Sequence, residues 1–260
     1  MIEHLNYTNT SIIIIVGLLF GSFLNVVIYR IPKSLSVIKP ASHCPNCSEN
    51  LKWFENIPLI SYVFLLGKCS HCKKKISIQY PLIEILNALL LLVIAYFSKD
   101  VPQFAVFSLL GMTLLCLIVI DFKNYILPDI LIIISFAIIL IYFSYYERLE
   151  VLVRFYYALL AGSGMYVLRM VTTKLYKKET FGLGDVKLSI LIGFIIGYWD
   201  AFIAIFFGFV LAAVIFAFLI ITRLQKKDSY LPFGPYLIFG MVFYILFGEE
   251  ILRWYIGFFI

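Results

Sequence analysis

The chain has 260 residues, of which 63% are hydrophobic and only 14% are charged, and its mean hydropathy is +0.99. Soluble globular domains are about half apolar and about a quarter charged, so this composition excludes an ordinary soluble protein. It predicts a polytopic membrane protein. The formal net charge of +6 would by itself suit nucleic acid or anionic lipid, but in a membrane protein the positions of the basic residues are more informative than their sum.

Eight apolar segments are predicted to cross the membrane, because each approaches the roughly 20 residues that a helical span requires. The first has no basic region before it and no small-residue cleavage site after it, so we expect a retained span and no cleavable signal peptide. The sixth is the weakest, since its uninterrupted apolar part, residues 188–199, has only 12 residues. The eight segments are residues 11–29, 81–97, 103–120, 126–145, 152–170, 183–199, 201–221 and 232–248.

The sixth segment could also continue through Asp200 as one long tilted helix, which would give seven spans. The basic residues favour eight, because 16 of the 21 lysines and arginines then fall on one side of the membrane. Cytoplasmic loops are enriched in Lys and Arg, so this side is assigned to the cytoplasm. With seven spans, the basic cluster at residues 223–227 would lie outside. We therefore expect both termini outside and a cytoplasmic first loop, residues 30–80.

Four of the five cysteines lie in this first loop as two Cys-x-x-Cys pairs with 21 residues between them. Two such pairs supply the four thiolates of a closed tetrahedral zinc site, whereas a redox dithiol would need only one pair. A reducing cytoplasm also argues against disulfides. We expect a structural Zn²⁺ ion, with His43 and His71 as neighbours and Cys116 as a packing residue within a span. The predicted ligands are Cys44, Cys47, Cys69 and Cys72.

The predicted fold is an all-α polytopic membrane protein of about eight transmembrane helices with a small cytoplasmic zinc-binding loop domain. We divide the chain into a first span at residues 1–29, the cysteine domain at 30–80 and a membrane-embedded domain at 81–260. No internal repeat is evident.

Acidic residues at the edge of a membrane span are costly and therefore informative. Asp121 ends the third predicted span and Asp185 opens the sixth, so the alternation of spans places both at the cytoplasmic level. Two nearby carboxyl groups cannot both ionise cheaply, and such a pair holds one proton. One carboxylate can then activate a water while the other polarises a peptide carbonyl. This is the chemistry of aspartic proteolysis.

A purely structural interpretation also fits each acid taken alone. Asp is a favoured helix N-cap, which would account for Asp185, and Asp121 could simply mark the headgroup level. Gly182 and Gly184 favour more than a cap, because glycines allow close backbone approach and unusual torsions.

Three other charged residues lie at span boundaries. Asp129 follows Pro128 and fits a helix start, and Asp200 is interpreted as a structural residue in a tight turn. Lys187 could extend to the inner headgroups or bias the charge of the aspartate pair.

Several segments resemble the bacterial prepilin peptidases, also called type IV leader peptidases, which are intramembrane aspartic proteases of the Gly-x-Gly-Asp type. "GLGDVKLSILIG" begins at Gly182 and contains the Gly-x-Gly-Asp motif, and "IDFKNYILPD" contains Asp121 and ends at Asp129. "GSFLNVVIYRIP" at residues 21–32, the cysteine loop and "LPFGPYL" at residues 231–237 are similar to further family segments. The resemblance covers nearly the whole chain in the same order.

This resemblance implies an activity and its site residues. Family members remove the basic leader from type IV prepilins and pseudopilins at the cytoplasmic face of the bacterial inner membrane. Their catalytic aspartates correspond to Asp121 and Asp185, with Gly182, Gly184 and Asp129 as supporting motif residues. Many members also methylate the new N-terminal amine with S-adenosylmethionine, and those members carry a cysteine loop. Residues of the methyl-donor site are not assigned, and Gly21, Asn25 and the 55–58 stretch are only candidates.

Two other functional classes compete with the peptidase. A proton- or ion-coupled transporter with a zinc-ribbon regulatory loop would use membrane acids, but its charged or broken helices would lie near mid-membrane. A noncatalytic scaffold would explain the loop and leave the paired aspartate motifs unexplained. The expected partners are prepilin-type substrates and the lipid bilayer, with anionic headgroups near the basic loop. Nucleic acid is not expected, because the basic residues form no recognisable binding module.

Overall fold

The computed structural model describes residues 7–225 and 230–257, and this part of the chain is almost entirely helical. Its only β-type pairs are two isolated bridges, His43 with Asn50 and Lys68 with Lys75. The helices are α1 (Tyr7–Arg30), α2 (Ile60–Phe64), α3 (Gln79–Phe97), α4 (Val101–Asn124), α5 (Asp129–Tyr146), α6 (Val151–Tyr176), α7 (Leu183–Ile196), α8 (Tyr198–Ile221) and α9 (Gly234–Ile256).

Seven helices of the described residues are long and apolar enough to cross a membrane: α1, α3, α4, α5, α6, α8 and α9. The sixth predicted span corresponds to α7, which has only 14 residues. At 1.5 Å per residue it is about 21 Å long, less than the roughly 30 Å of a bilayer core. Seven of the eight predicted spans therefore correspond to helices of the described residues that are long enough to cross a membrane, and the sixth, α7, is too short to cross alone.

The predicted end of the sixth span is wrong by three residues. Helix α7 ends at Ile196, and Gly197 then adopts a φ of +97°, a conformation that glycine reaches at little cost. Tyr198 and Trp199 already belong to α8. This break also excludes the alternative of one continuous tilted helix through Asp200.

The chain divides into two compact units, which meet between Cys116 and Leu117. In the first unit, α1 and α3 pack antiparallel through small residues. A Cβ on Gly17 would lie 2.6 Å from the Ala88 Cα, and one on Gly21 would lie 2.6 Å from the Glu84 Cα. Such close approach between backbones is characteristic of packed membrane helices. The three-part division proposed from the sequence stays a prediction.

Buried amides join the same two helices. The Asn87 side chain donates to the Gly17 carbonyl oxygen at 2.8 Å, and Asn25 donates to the Tyr80 carbonyl oxygen at 3.1 Å. Both asparagines are buried, so these hydrogen bonds satisfy side-chain N–H groups that would be costly to place in hydrocarbon, whereas Asn87 Oδ1 has no partner among the described residues. They fix the register of α1 against α3.

The second unit is built on two antiparallel helix pairs, α6 with α7 and α8 with α9. A Cβ on Gly193 of α7 would lie 2.7 Å from the Ala161 Cβ and 2.8 Å from the Tyr157 carbonyl oxygen. Likewise, Gly208 of α8 approaches the backbone of α9 so closely that a Cβ would lie 2.8 Å from the Tyr236 carbonyl oxygen. Small residues thus bring both pairs into backbone contact.

Arg154 of α6 holds the carboxyl end of α7. Its guanidinium donates to the carbonyl oxygen of Ile195 at 3.0 Å and lies 3.6 Å from the centre of the Phe143 ring. It also forms an ion pair with Glu147. A cation beside the last carbonyl groups of a helix satisfies acceptors that lack intrahelical partners and interacts favourably with the helix dipole.

Replacing Gly193 by alanine is expected to destabilise the second unit. The new methyl group would meet backbone atoms of α6, which cannot rotate away, so we expect a loss of about 1–3 kcal/mol in the free energy of unfolding. A lower midpoint of thermal unfolding in detergent would show this. The matched control is Gly164→Ala, whose Cβ would meet only the edge of the Phe202 ring at 3.1 Å. Equal losses in the two variants would contradict the role of the α6–α7 contact.

Candidate active site and cysteine cluster

A cavity of about 820 Å³ lies in the second unit, where α4 ends and where α5, α7 and α9 begin. Three separate stretches of chain line it. They are residues 121–129, 179–185 and 230–233, with 122, 123, 124 and 128 outside the lining. These are the stretches that carry the Asp-containing motifs and the start of "LPFGPYL". The fold therefore brings distant sequence motifs to one cavity.

Asp121 lies in the last turn of α4 and is 4% exposed. Its Oδ2 accepts a hydrogen bond from the backbone N–H of Gly234 at 3.0 Å, across 113 positions of sequence. Gly234 is the first residue of α9, and the N–H groups of a first helical turn have no partner within the helix. The start of α9 thus stabilises one specific position of the Asp121 carboxyl group.

Asp185 is the third residue of α7 and is 7% exposed. Its Oδ2 accepts a hydrogen bond at 2.9 Å from the N–H of Gly182, the N-cap residue. This is the backbone contact that the third residue makes in a capping box. Asp185 is therefore not the N-cap residue that the structural interpretation proposed, because Gly182 occupies that position; as the third residue of α7 it bonds back to the N-cap with only one carboxyl oxygen.

Asp121 and Asp185 line the same cavity, and their charges interact. Within the described residues, each carboxyl group accepts a single hydrogen bond, in each case from a backbone N–H. The second oxygen of each group is left for a water or a substrate. Geometrically, the site is a pair of buried carboxyl groups beside an open cavity.

Leu127 packs between the two motifs. A Cβ on Gly184 would lie 2.9 Å from the Leu127 Cβ, and a Cβ on Gly234 would lie 3.0 Å from both Leu127 methyl groups. The same Cβ on Gly234 would lie 2.8 Å from Asp121 Oδ2. Both glycines are therefore needed for the approach of Leu127, and Gly234 also for the approach of Asp121.

The expectation of unusual torsions at the Gly-x-Gly-Asp glycines is wrong. Gly182 has φ −71° and ψ 155°, which any residue adopts, and Gly184 is part of α7. Space near Gly184 is filled by Leu127, whereas a Cβ on Gly182 would have no heavy atom closer than 3.5 Å. The glycines thus serve packing and the N–H bond to Asp185 rather than a strained backbone.

The other charged residues at helix boundaries have structural partners. Asp129 begins α5 as expected, and its carboxylate pairs with the Lys187 ammonium group at 2.6 Å. This ion pair is partly exposed and joins the start of α5 to α7. Asp200 lies in the first turn of α8 and accepts a hydrogen bond from the Tyr244 hydroxyl group, which agrees with its structural interpretation.

The cysteine cluster lies in the first unit. The sulfur atoms of Cys44, Cys47, Cys69 and Cys72 all lie within 4.8 Å of one another. The Cys44–Cys72 and Cys47–Cys69 sulfur pairs are 3.9 and 4.0 Å apart. Four thiols at these distances could hold a metal ion, and neither His43 nor His71 belongs to the cluster.

Two similar hairpin turns present these thiols. In the first, the Cys44 N–H donates to the Glu49 carbonyl oxygen, and in the second the Cys69 N–H donates to the Lys74 carbonyl oxygen, both at 2.9 Å. The equivalent residues Ser48 and Lys73 both have φ of +58°. Backbone N–H groups of Cys72 and His71 lower the pKa of the Cys69 thiol to about 6, whereas burial and the neighbouring thiols raise the pKa of Cys47 to about 11.

Sequence reasoning missed two groups that position the site and the loop. Gly234 lies in a motif that was noticed, but no local pattern shows that its N–H reaches Asp121. Glu84 is buried in α3, and its Oε2 accepts a hydrogen bond from the Leu59 N–H at 2.8 Å. An acidic residue four positions inside an apolar span is itself a signal, and it could have been found.

The candidates for the methyl-donor site have structural roles in the first unit. Gly21 packs against the α3 backbone, and the Asn25 amide donates to the carbonyl oxygens of Gly21 and Tyr80. In the 55–58 stretch, the Glu55 carboxylate accepts a hydrogen bond from the Lys52 N–H at 2.8 Å.

Comparison with known proteins gives matches along most of the chain. Residues 15–98 match the bacterial peptidase A24 N-terminal domain, and residues 107–217 match the type IV leader peptidase family. The chain is 31% identical to a prepilin leader peptidase/N-methyltransferase of Pseudomonas putida, over 91% of this chain and 90% of the relative. Proteins of the same description from Vibrio cholerae and Bacillus subtilis are 32% and 31% identical, over 92% and 95% of this chain and 96% and 97% of theirs. No solved structure matches.

Proposed function

The chain belongs to the type IV leader peptidase family, and from this premise we propose that it removes the leader peptide from type IV prepilins or pseudopilins and methylates the new amino terminus. The observation that carries the peptidase assignment is the buried pair of aspartates in one cavity. Asp121 and Asp185 come from two different motifs, and each is oriented by one backbone N–H.

We assign the hydrolysis to these two carboxyl groups. The ionised one takes a proton from a water molecule, whose oxygen attacks the carbonyl carbon of the scissile peptide bond. The protonated one donates its proton to the carbonyl oxygen, which gives a tetrahedral intermediate. When the C–N bond breaks, the departing nitrogen takes the proton that the first carboxyl group gained from water, and one hydroxyl of the intermediate returns its proton to the second carboxyl group as the carbonyl re-forms. The Gly234 and Gly182 N–H groups keep one oxygen of each carboxyl group in place during these transfers.

The lining of the cavity suits a basic leader followed by an apolar helix. Its charged lining residues are all acidic, namely Asp121, Asp129, Glu179 and Asp185, of which Asp129 is paired with Lys187 and Glu179 with Arg169. The aromatic rings of Phe181 and Phe233, which also line the cavity, lie 5.1 Å apart between their centres. Acidic and aromatic walls side by side match a substrate that changes from basic to apolar near the cleaved bond.

We place this end of the second unit at the cytoplasmic face of the bacterial inner membrane. Basic residues cluster at the same helix ends as the cavity, and cytoplasmic loops are enriched in them. They include Lys123 in the last turn of α4, Lys174 in the last turn of α6, and Arg223 just after α8. The second candidate function, a proton- or ion-coupled transporter, has no support from the relatives, all of which carry the peptidase/N-methyltransferase description.

We propose that the cysteine cluster binds one structural Zn²⁺ ion. A tetrahedral site with Zn–S bonds of about 2.3 Å places its sulfur atoms about 3.8 Å apart, close to the 3.9 and 4.0 Å of the two sulfur pairs. Four protein ligands close such a site to substrate. Zinc would therefore stabilise the two hairpin turns and take no part in peptide hydrolysis.

The methyl donor of the second activity is S-adenosylmethionine, which is consumed as a co-substrate. The acceptor is the amine that cleavage exposes, so methylation depends on cleavage when the substrate is an intact prepilin. A pilin that already lacks its leader separates the two activities.

Replacing either proposed catalytic aspartate is expected to abolish leader removal. Asp121→Asn and Asp185→Asn keep the size of the side chain but remove the shared proton, so we expect cleavage to fall by about 10²–10⁴-fold. Purified protein in detergent is mixed with a prepilin and S-adenosylmethionine, and intact masses report leader loss and methyl addition. Asp200→Asn is the control, because its amide oxygen still accepts from Tyr244 and cleavage should be retained.

The same spectra separate the two activities. Both Asn variants should still methylate a pilin supplied without its leader, whereas neither should methylate the intact prepilin. Full cleavage by Asp121→Asn or by Asp185→Asn would disprove the aspartate pair. A wild-type product that carries no methyl group would contradict the methyltransferase assignment but not the peptidase assignment.

The Asp129–Lys187 ion pair is expected to position the two motifs relative to each other. Lys187→Met should lower kcat with little loss of stability, because partly exposed ion pairs contribute only about 0–1 kcal/mol. Lys187→Arg should retain activity, and the exchanged pair Asp129→Lys with Lys187→Asp should restore most of it. The pH profile of kcat should stay unchanged in Lys187→Met. A shifted profile that the exchange does not restore would show that Lys187 acts directly on the charge of the aspartates.

Metal analysis of the purified protein should find one zinc ion per chain. Cys47→Ser and Cys72→Ser should each lower the zinc content severalfold, because a closed site needs all four thiolates. Cys116→Ser is the matched control, since Cys116 is buried in α4 and lies outside the cluster. Less than one ion per chain with all thiols intact would reject the site.

A further inference from the structure

The loop between α1 and α3 exposes many large apolar side chains, although its sequence is polar enough to have been taken as a cytoplasmic domain. Trp53, Phe64 and Leu66 are 80%, 83% and 82% exposed, and Phe54, Ile60 and Val63 are also exposed. We call these six residues the apolar loop face. Water-soluble domains rarely expose large apolar side chains in such density, and contiguous patches of this kind mark interaction surfaces.

The apolar loop face is held beside a membrane-spanning helix. Leu59, which immediately precedes α2, donates its N–H to Glu84 Oε2 at 2.8 Å. Glu84 lies five residues after Gln79, the first residue of α3, which corresponds to about 7.5 Å along the helix axis. The 19 residues of α3 measure about 28 Å, close to the roughly 30 Å thickness of a bilayer core. The first turns of α3 therefore lie near the boundary between the hydrocarbon core and the headgroups. Helix α2 therefore lies at the level of that boundary.

The backbone at Leu59 shows how firmly this position is fixed. Leu59 adopts φ 59° and ψ −48°, and Ile60 donates its N–H to the Pro58 carbonyl oxygen at 2.6 Å. Leucine reaches this conformation only where surrounding contacts impose it. The hydrogen bond to Glu84 supplies one such contact, so the residue before α2 is attached to α3.

The charges of the loop complement an anionic lipid surface. Residues 31–78 contain seven lysines and two glutamates. One of the glutamates, Glu55, is already bonded to the Lys52 N–H. Lysines around exposed aromatic and aliphatic side chains are typical of segments that lie in a membrane interface, where the cations meet the phosphate groups.

We propose that the apolar loop face is inserted into the headgroup region of the adjoining leaflet, and that the loop lysines bind anionic phospholipids there. The cysteine domain then lies on the membrane surface rather than free in the aqueous phase. Two spanning helices adjoin the loop directly, so the bilayer is the surface with which the apolar loop face is continuous. This inference does not depend on the proposed peptidase activity.

The fluorescence of Trp53 tests the insertion in the whole protein. The chain has three tryptophans, so Trp199→Phe with Trp254→Phe leaves Trp53 as the only one. This variant is reconstituted in vesicles of phosphatidylethanolamine and phosphatidylglycerol, with or without lipids brominated near the headgroup. We expect blue-shifted emission, quenching by the brominated lipids and acrylamide quenching that is about threefold weaker than for a water-exposed tryptophan, because interfacial segments bury their apolar side about 5–10 Å deep.

A second variant provides the water-exposed reference. It carries Trp53→Phe and Glu49→Trp in the same background, which moves the reporter to an exposed position of the first hairpin turn. Quenching of Trp53 by brominated lipid should also increase with the phosphatidylglycerol fraction, whereas insensitivity to that fraction would overturn the role of the lysines. Red-shifted emission with strong acrylamide quenching would overturn the insertion. So would protection of Trp53 that appears only after a prepilin is added, because the occupant would then be the substrate.

Discussion

The contact of Leu127 with two glycines is the interaction on which the arrangement of the proposed active site depends. Leu127 fills the space that side chains on Gly184 and Gly234 would occupy. Gly184 belongs to the helix that carries Asp185, and Gly234 donates its N–H to Asp121. One side chain therefore sets the spacing between the two segments that hold the carboxyl groups. On the exposed side, the Asp129–Lys187 ion pair joins the start of α5 to α7.

This arrangement uses ordinary backbone geometry to stabilise carboxyl groups whose burial costs free energy. Buried carboxyl groups are stabilised by hydrogen bonds to backbone N–H groups, and helix starts provide such groups without an internal partner. Asp185 uses the start of its own helix, and Asp121 uses the start of α9. Both bonds go to main-chain atoms, whose positions are fixed by the helices. The carboxyl groups are thereby oriented while no cationic side chain needs to pair with them.

The sequence was sufficient to predict seven of the eight spans, the grouping of four cysteines and the meeting of Asp121 and Asp185 at one end of the helices. These features follow from the lengths of apolar runs, the spacing of cysteines, the charges of the loops and the alternating direction of successive spans, all of which can be read along the chain. It was not sufficient for the bond between Gly234 and Asp121, because a contact across 113 positions depends on how α9 packs against its neighbours. The same holds for Leu127, whose motif suggested a helix boundary rather than a spacer. Glu84 is different, since its position in an apolar run was visible and simply went unused.

The length of α7 has its own physical meaning. Most of its side chains from Leu188 to Phe194 are buried, so protein rather than lipid is the solvent of this helix. A helix without lipid neighbours is free of the thickness requirement that sets the length of the other spans. The roughly 9 Å by which α7 falls short of a bilayer core leave room for an aqueous space at its first turn. The proposed hydrolysis needs that space, because water is its second reactant and would have to reach the Asp185 carboxyl group inside an otherwise apolar protein.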